Sequence, residues 1–371
     1  MQRFSDLVLN SRTSGMNFTG QYTLEETVER GCVATIGFFD GVHCGHRFLL
    51  RQVVGKAAEL GLPSVVVSFS NHPASVLRPE LRPLILTSSA EKVGLLRSAG
   101  ADCVALIDFT PVISHMSARD FMQEFLLKTL NVKVLLMGYD HRFGHGGNNN
   151  FEDYLRYGEE LGIKVVRGEE LRGSEGKFCS SSIRKSLLSG DVEGASRLLG
   201  YNYLMEGTVV GGFRVGRRIG YPTANVRVGD TDKLIPARGV YAVRLSFPDS
   251  SSPVCYGGMM NIGYRPTLNN GNEQSIEVHL FDFSSDIYSE CVRIEFVARI
   301  RDERCFDTVE QLQEQLAADE KACRSIVDCL YPPRQIRATA NQIIRWFASD
   351  YVSWCDFYVS LFYLYFSNNE M

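Results

Sequence analysis

The chain has 371 residues, enough for two domains of ordinary size, and a hydrophobic content of 44% that suits a soluble globular protein. Its formal net charge of -4 argues against an electrostatic nucleic-acid binder. Ten cysteines are scattered singly with no C-x-x-C pair, and the first residues are polar rather than signal-like, so the expected setting is the cytosol with reduced thiols. Six of the seven histidines (His43, His46, His72, His115, His141, His145) precede residue 150, which places any imidazole chemistry in the first half.

From Cys32 to about Leu199, short apolar or β-branched runs alternate with amphipathic stretches. In order they are "CVATIGFF", "HRFLLRQVVGKAAEL", "SVVVSF", "AEKVGLLRSAG", "DCVALIDF", "ARDFMQEFLLKTL", "VKVLLMG", "FEDYLRYGEEL" and "IKVVRG". Strand followed by helix, repeated, predicts a parallel α/β sheet. From about Met205 the rhythm changes to strand-like runs separated by turns: "MEGTVVG", "GVYAVRLSF", "VCYGGMMNIG", "SIEVHLFDF" and "CVRIEFVARI". That half reads as an antiparallel barrel or sandwich closed by one helix around "TVEQLQEQLAADEKACRSIV". The junction falls near "SGDVEGASRLLGYNY". Beyond it all, "WFASDYVSWCDFYVSLFYLYFSNNEM" concentrates aromatics, but Asp350 and Asp356 interrupt the run of about 20 apolar residues that a membrane span needs. A docked or poorly ordered extension is expected there, with no membrane partner.

"ATIGFFDGVHCGHRFLL" sets glycines, an aspartate and two histidines between a strand and a helix. The first turn of a helix presents unpaired N–H donors and a positive dipole end, which together favour phosphate. Gly41 and Gly45 let the backbone turn and approach closely, and His43 and His46 can donate to phosphate oxygens. Two histidines in such a place can also merely cap and pack; the surrounding Gly37, Asp40, Gly41 and Gly45 favour the phosphate reading. A second helix start, "KFCSSSIRKSLLSG", offers serine hydroxyls, backbone amides and the charge of Arg184.

"GGFRVGRRIGYPTANV" combines glycines with Arg214, Arg217 and Arg218, as a flap over phosphates does, and then runs Pro222, Thr223, Ala224, Asn225. Thr223 and Asn225, two apart on an extended segment, aim their oxygens the same way, an acceptable Mg²⁺ site when phosphate oxygens and water complete the shell. In "SIEVHLFDF" the alternation sets Val278 and Leu280 on one face and Glu277 and His279 on the other. Glu277 is either an outward solvent-facing carboxylate or a general base that deprotonates an attacking alcohol.

Ten motifs in order resemble the bacterial bifunctional riboflavin kinase/FAD synthetases. "IGFFDGVHCGHRFLL", "SFSNHPASVL", "LTSSAEKVGLL", "LLMGYDHRFGHGG" and "FCSSSIRKSLLSGDVEGASRLLG" are similar to the adenylyltransferase module. "GTVVGGFRVGRRIGYPTANV", "LIPARGVYAVRL", "GGMMNIGYRPTLNN", "SIEVHLFDFSSDIY" and "IRDERCFDTVEQLQEQLAAD" are similar to the kinase module. The resemblance implies a Rossmann-like nucleotidyltransferase domain (29–200) followed by an antiparallel β-barrel riboflavin kinase domain (201–326), with extensions at 1–28 and 327–371 that receive no role. It implies ATP held by His43, His46 and Arg184 with Gly37, Phe39, Asp40, Gly41, Gly45, Ser180 and Ser181. On the flavin side it implies Asn71, His72, Pro73, Asp140, Arg142 and Phe143. In the second module Gly212, Arg217, Gly220, Pro222, Thr223 and Asn225 would hold Mg-ATP, with Glu277 as the base.

The implied chemistry is phosphorylation of riboflavin to FMN, then adenylylation of FMN to FAD. The expected partners are riboflavin, FMN and ATP, the expected cation is Mg²⁺, and a homo-oligomer is compatible with the reading. Two departures stand out: Cys179 occupies a position where the family carries a hydroxyl, and Ser289 one where it carries glycine. The alternatives weighed are a kinase whose transferase module has decayed, another nucleotidyltransferase using the same H-x-G-H device, and a flavin-binding regulator without turnover.

Overall fold

The computed structural model describes residues 15–331, apart from 79, 81, 147–148, 172–177, 213–214, 249–253 and 267–271. The aromatic C-terminal stretch and Arg214 therefore lie outside the described residues. Among the described residues no helix is long and apolar enough to cross a membrane.

The first half is a six-stranded sheet. Its strands are β1 (Met16–Gly20), β2 (Cys32–Ile36), β3 (Ser64–Phe69), β4 (Cys103–Ile107), β5 (Val132–Met137) and β6 (Lys164–Arg167), in the order β1-β4-β3-β2-β5-β6. β2 to β6 run parallel, and their centre is buried on both faces, which is why β2, β3 and β4 read as unbroken apolar runs rather than alternating ones. Helix α1 (Leu24–Arg30) opens on a capping box between Thr23 and Glu26. Helix α2 (Cys44–Leu60) follows β2 and stops at Gly61 in the left-handed region. Next come the short α3 (Pro73–Leu77), α4 (Ser89–Ser98), α5 (Phe151–Leu161), α6 (Ser180–Ser189) and α7 (Val192–Leu199). The stretch read as one helix over 118–130 is helical at Ala118–Phe121 and continues as a π-helical segment from Met122 to Thr129.

The sheet reaches further toward the N-terminus than the sequence suggests. Residues assigned no role there include β1, which pairs antiparallel with β4 from Met16↔Ile107 to Gly20↔Cys103. A short edge strand of mixed polarity carries too little periodicity to be seen without its partner.

The second half is a closed barrel, so the choice left between barrel and sandwich resolves to the barrel. Strands β7 (Leu204–Val210), β8 (Ala224–Arg227), β9 (Gly239–Ser246), β10 (Cys255–Pro266), β11 (Asn272–Leu280) and β12 (Cys291–Arg301) close in the order β10-β11-β8-β7-β12-β9. Tyr241, Val243, Leu245, Ile262, Ile276, Val278, Ile294 and Phe296 fill the interior. Helix α8 (Val309–Leu330) lays Cys323 and Val327 on the outside, against Ala242, Met259 and Phe281.

The two halves share a core. Ile183 and Leu187 of α6, Val192, Ala195 and Leu199 of α7, and Leu86 from the first half pack into the same cluster as the barrel interior. An isolated parallel bridge joins Ile85 to Lys233, with Ile85 N–H donating to Asp232 O and Leu234 N–H to Ile85 O, each at 2.8 Å.

Cys179 is the N-cap residue of α6, and its sulfur lies 3.2 Å from Ser182 Oγ instead of capping the backbone. A hydroxyl there caps a free N–H, so Cys179→Ser is expected to raise the unfolding free energy by about 1 kcal/mol. Equilibrium denaturation checks this, and an unchanged or lower midpoint would mean that the thiol already serves the cap as well as serine.

Candidate active sites

Strand order reverses between β2 and β5, and in open α/β sheets the crevice beyond the carboxyl ends of such strands is where ligands bind. The loop after β2 delivers residues 37–46 to that crevice, and the loop after β5 delivers 138–146. Two motifs far apart in sequence are thus neighbours by topology alone.

His43 is the N-cap of α2, and its Nδ1 accepts from His46 N–H at 3.4 Å. That acceptor role places the ring proton on Nε2, a donor available to a ligand. The two imidazoles stack with centroids 3.6 Å apart, and Phe39 meets His46 edge-on at 5.1 Å. Burial pushes His43 down to about 4, opposed by Asp40. Burial, then the neighbouring His43 and His141, holds His46 well below the usual imidazole range. Both rings are therefore neutral donors at pH 7, ready to meet an anion that is itself fully charged.

Asp40 was expected among the phosphate ligands, but the structure gives it another task. Its buried carboxylate accepts from Leu86 N–H at 2.9 and 3.1 Å, from Thr87 N–H at 3.1 Å and from Thr87 Oγ1 at 3.3 Å. It also takes Arg184 Nη2 at 2.5 Å, while Arg184 Nε donates to Leu84 O. An acceptor-only carboxylate serving these donors repels phosphate and organises the groups that attract it. Ser180 Oγ donates to Asp40 O at 3.0 Å, which ties the start of α6 to the same loop, and Ser181 beside it is exposed. Gly41 donates to Thr87 Oγ1 in a left-handed conformation, where a Cβ would lie 2.8 Å from Leu86 Cδ1. Gly45 faces His43 and Phe178, and a Cβ on Gly37 would come within 3.0 Å of the Phe39 ring.

On the expected flavin side, Asn71 clasps the loop after β4, donating to Phe109 O at 3.0 Å and accepting from Phe109 N–H at 2.8 Å. His72 caps α3 at Ala74 N–H ahead of Pro73, and it meets Phe38 edge-on at 4.5 Å. From the opposite lip, Asp140 and Arg142 are exposed. The Phe143 backbone both donates to and accepts from Tyr154 Oη at 2.7 Å. These two groups follow β3 and β5, strands whose carboxyl ends border the same side of the sheet.

Sequence reasoning missed two residues here. Lys92, 1% exposed, donates to Phe69 O at 2.8 Å and sits 3.9 Å over the Phe38 ring, and burial pulls it down to about 8. Nothing in "AEKVGLLRSAG" sets it apart from a surface lysine. His141, two residues ahead of Phe143, has its Nε2 buried with no hydrogen-bond partner among the described residues, as does Nδ1 of His46.

The barrel holds a second constellation. Glu277 on β11 lies directly opposite Asn225 on β8. Thr223 Oγ1 donates to Glu277 Oε2 at 3.1 Å, and His279 Nδ1 lies 2.8 Å from Pro222 O. Asn225 is buried, and a Cβ on Gly212 would fall 2.0 Å from its Nδ2, so a side chain there would displace the Asn225 amide. Arg217 lies on the helical turn Val215–Arg218 and Gly220 just beyond it, in the left-handed region. Glu277 lies on the face of β11 opposite the interior-packed Ile276 and Val278, half-buried and bonded to Thr223, so it belongs to a polar cluster on the barrel wall rather than standing as a fully solvated carboxylate. Among the described residues no group of three or more His, Cys, Asp or Glu side chains is arranged to hold a metal ion. The oxygen donors of Thr223 and Asn225, with Glu277 beside them, fit a hard cation that keeps water and phosphate in its shell.

The histidine site has a consequence for stability. Between pH 6.5, the ordinary imidazole value, and about 4, the unfolded chain binds protons that folded His43 does not, so stability falls as pH drops through that window. For His43 the loss is on the order of 3 kcal/mol. Urea denaturation at pH 7 and pH 4.5 is expected to show it, and His43→Gln is expected to flatten the dependence; equal pH sensitivity in both proteins would refute the assignment.

Comparisons with known proteins follow the same division. A family model described as FAD synthetase matches residues 25–182, and one described as riboflavin kinase matches 199–327. The bifunctional riboflavin kinase/FMN adenylyltransferase of Escherichia coli (strain K12) is 34% identical over 314 residues, covering 84% of this chain and 98% of that protein. The protein of the same description from Bacillus subtilis (strain 168) is 33% identical over 312 residues, covering 82% and 96%. A crystal structure described as a macrolide-efflux protein from Streptococcus pneumoniae superposes with a TM-score of 0.71 at 34% identity, covering 79% of this chain and 94% of that one. With two family models in sequence order and this coverage, the chain belongs to the bifunctional riboflavin kinase/FMN adenylyltransferase family.

Proposed function

We propose that this protein makes FAD in two steps at two separate sites. In the barrel, the ribityl hydroxyl of riboflavin attacks the γ-phosphorus of ATP, giving FMN and ADP. In the α/β domain, a phosphate oxygen of FMN attacks the α-phosphorus of a second ATP, giving FAD and pyrophosphate. The observation that carries the reading is the presence, in one chain, of a neutral imidazole pair at a helix start and of a Thr–Glu–Asn cluster in the barrel.

In the barrel, Glu277 takes the proton of the attacking hydroxyl. Its bond from Thr223 fixes the carboxylate's orientation and leaves lone pairs of the Thr223 oxygen free to face a cation. Thr223 and Asn225 would hold Mg²⁺, whose contribution when bound is to neutralise phosphate charge. Gly212, Gly220 and Pro222 shape the flap, and Arg217 adds charge to it. In the α/β domain no proton need be abstracted from FMN, whose phosphate is already anionic. Catalysis there is positioning and charge stabilisation by His43, His46, Arg184 and the N–H groups at the starts of α2 and α6, including those of Ser180 and Ser181. Asn71, His72 and Pro73 on one lip and Asp140, Arg142 and Phe143 on the other would bound the flavin. Free ATP and reduced thiols suit a cytoplasmic setting.

Chromatography of products from riboflavin, ATP and Mg²⁺, with a parallel reaction started from FMN, tests the reading directly. FAD from both is expected; FMN alone from the first would mean a kinase with a silent transferase, and no product would mean a flavin-binding protein. Glu277→Ala is expected to lower FMN formation by roughly 10²–10⁴-fold while FAD formation from supplied FMN persists. His46→Ala is expected to lower FAD formation by roughly 10²-fold while FMN formation persists. Loss of both activities in either folded variant would overturn the two-site reading.

A further inference from the structure

A buried charge crosses from one domain to the other. Lys233, in the connection between β8 and β9 of the barrel, pairs with Glu91 on the first turn of α4 at 2.6 Å, with both side chains 1% exposed. Lys233 Nζ also donates to Leu86 O at 2.7 Å and to Leu204 O at 2.8 Å, so its three hydrogens have three acceptors. Glu91 is equally committed: Oε2 accepts Ser88 N–H at 2.8 Å, and Oε1 accepts the N–H of Glu206 on β7 at 2.9 Å. The Tyr203 ring lies 4.7 Å from the ammonium.

Such a pair is a poor means of stabilising a core, because apolar residues of similar volume usually do as well once desolvation is counted. What it imposes is a single geometry, and the group it fixes is the strap at residues 85–87. Leu86 is held from both sides: its carbonyl by Lys233 and its N–H by both oxygens of Asp40. Asp40 in turn receives Arg184 at 2.5 Å and, through Thr87 Oγ1, the N–H of Gly41 in the histidine loop. Three links therefore join a barrel lysine to the guanidinium that the proposed function gives to ATP: Lys233 to Leu86, Leu86 to Asp40, Asp40 to Arg184.

We propose that Lys233, a residue of the barrel domain, is a positioning residue of the adenylyltransferase site, so that FAD formation depends on the docked barrel while FMN formation does not depend on this contact. The inference rests on the two-site reading above. It also accounts for the placement of Lys233, which is remote in the chain from every motif of the transferase yet is linked through Leu86 to Asp40.

The test compares full-length wild type, Lys233→Met and the double variant Lys233→Met/Glu91→Gln, each assayed for FAD formation from FMN and for FMN formation from riboflavin. The double variant leaves no unpaired buried charge, so it separates positioning from a folding defect. Both variants are expected to lower FAD formation about tenfold with a raised KM for ATP in that reaction, since misplacing binding groups by a fraction of an ångström has effects of this size. FMN formation, measured on the same molecules, is expected to stay within about twofold and serves as the control for folding. Parallel loss of both activities at unchanged KM, or unchanged FAD formation, would overturn the proposal by showing a merely structural pair or none that matters.

Should neither variant fold, hydrogen exchange on the wild type decides, with inorganic pyrophosphate as probe. Peptides spanning 84–88 and 230–236 are expected to gain protection together, and protection of the first alone would overturn the link. A wild type that makes no FAD from FMN would remove the two-site reading and the inference with it.

Discussion

The carboxylate of Asp40 is the point on which the candidate nucleotide site is built. It is 3% exposed, yet it gathers the backbone of the 85–87 strap, the Thr87 hydroxyl and the guanidinium of Arg184. A buried carboxylate is tolerable only when its oxygens are fully engaged, so each donor's position is fixed by the same requirement. The strap, the start of α6 and the histidine loop are therefore held at one place although they come from three parts of the chain. An apolar residue at this position would leave Nη2 of Arg184 without its carboxylate and the loop without a brace.

Much of the fold was legible because its elements announce themselves locally. The unbroken apolar runs of β2, β3 and β4 and the capped helices between them mark a parallel sheet before any contact is known. The alternation in β9, β11 and β12 likewise marks an antiparallel half, though only closure of the strand order distinguishes barrel from sandwich. What stayed hidden lacks a period. β1 has five residues on an edge, and β8 has four inside a segment whose polar residues point to a metal site; each becomes a strand only through its partner.

The candidate sites were legible where unusual residues stand together in sequence, as His43 with His46 or Thr223 with Asn225. It was not legible where tertiary packing assigns the role. Asp40 sits inside the phosphate motif, and only its bonds to Leu86, Thr87 and Arg184 reveal that it braces donors. Lys92 and Lys233 look like ordinary surface lysines in the sequence, and each is buried in the structure. A charged residue's burial depends on whether distant acceptors converge on it, and no local pattern encodes that convergence.

The two sites handle the same cofactor by opposite electrostatic means, and the chemistry of each nucleophile explains why. An alcohol must lose a proton, and in the proposed reaction the carboxylate that would take it is Glu277, held by Thr223, with a cation and Arg217 to offset the negative charge. A phosphate monoester arrives already ionised, so a base in the α/β site would only add repulsion. There the carboxylate of Asp40 is buried and paired with Arg184, and burial favours the uncharged form of the His43 and His46 imidazoles. Neutral donors avoid holding an unpaired cation in a dry site, and they respond to a bound anion by a rise in their own proton affinity. Separate domains let each arrangement persist without disturbing the other's charge, while the shared core under α6 and α7 keeps both in one folded body.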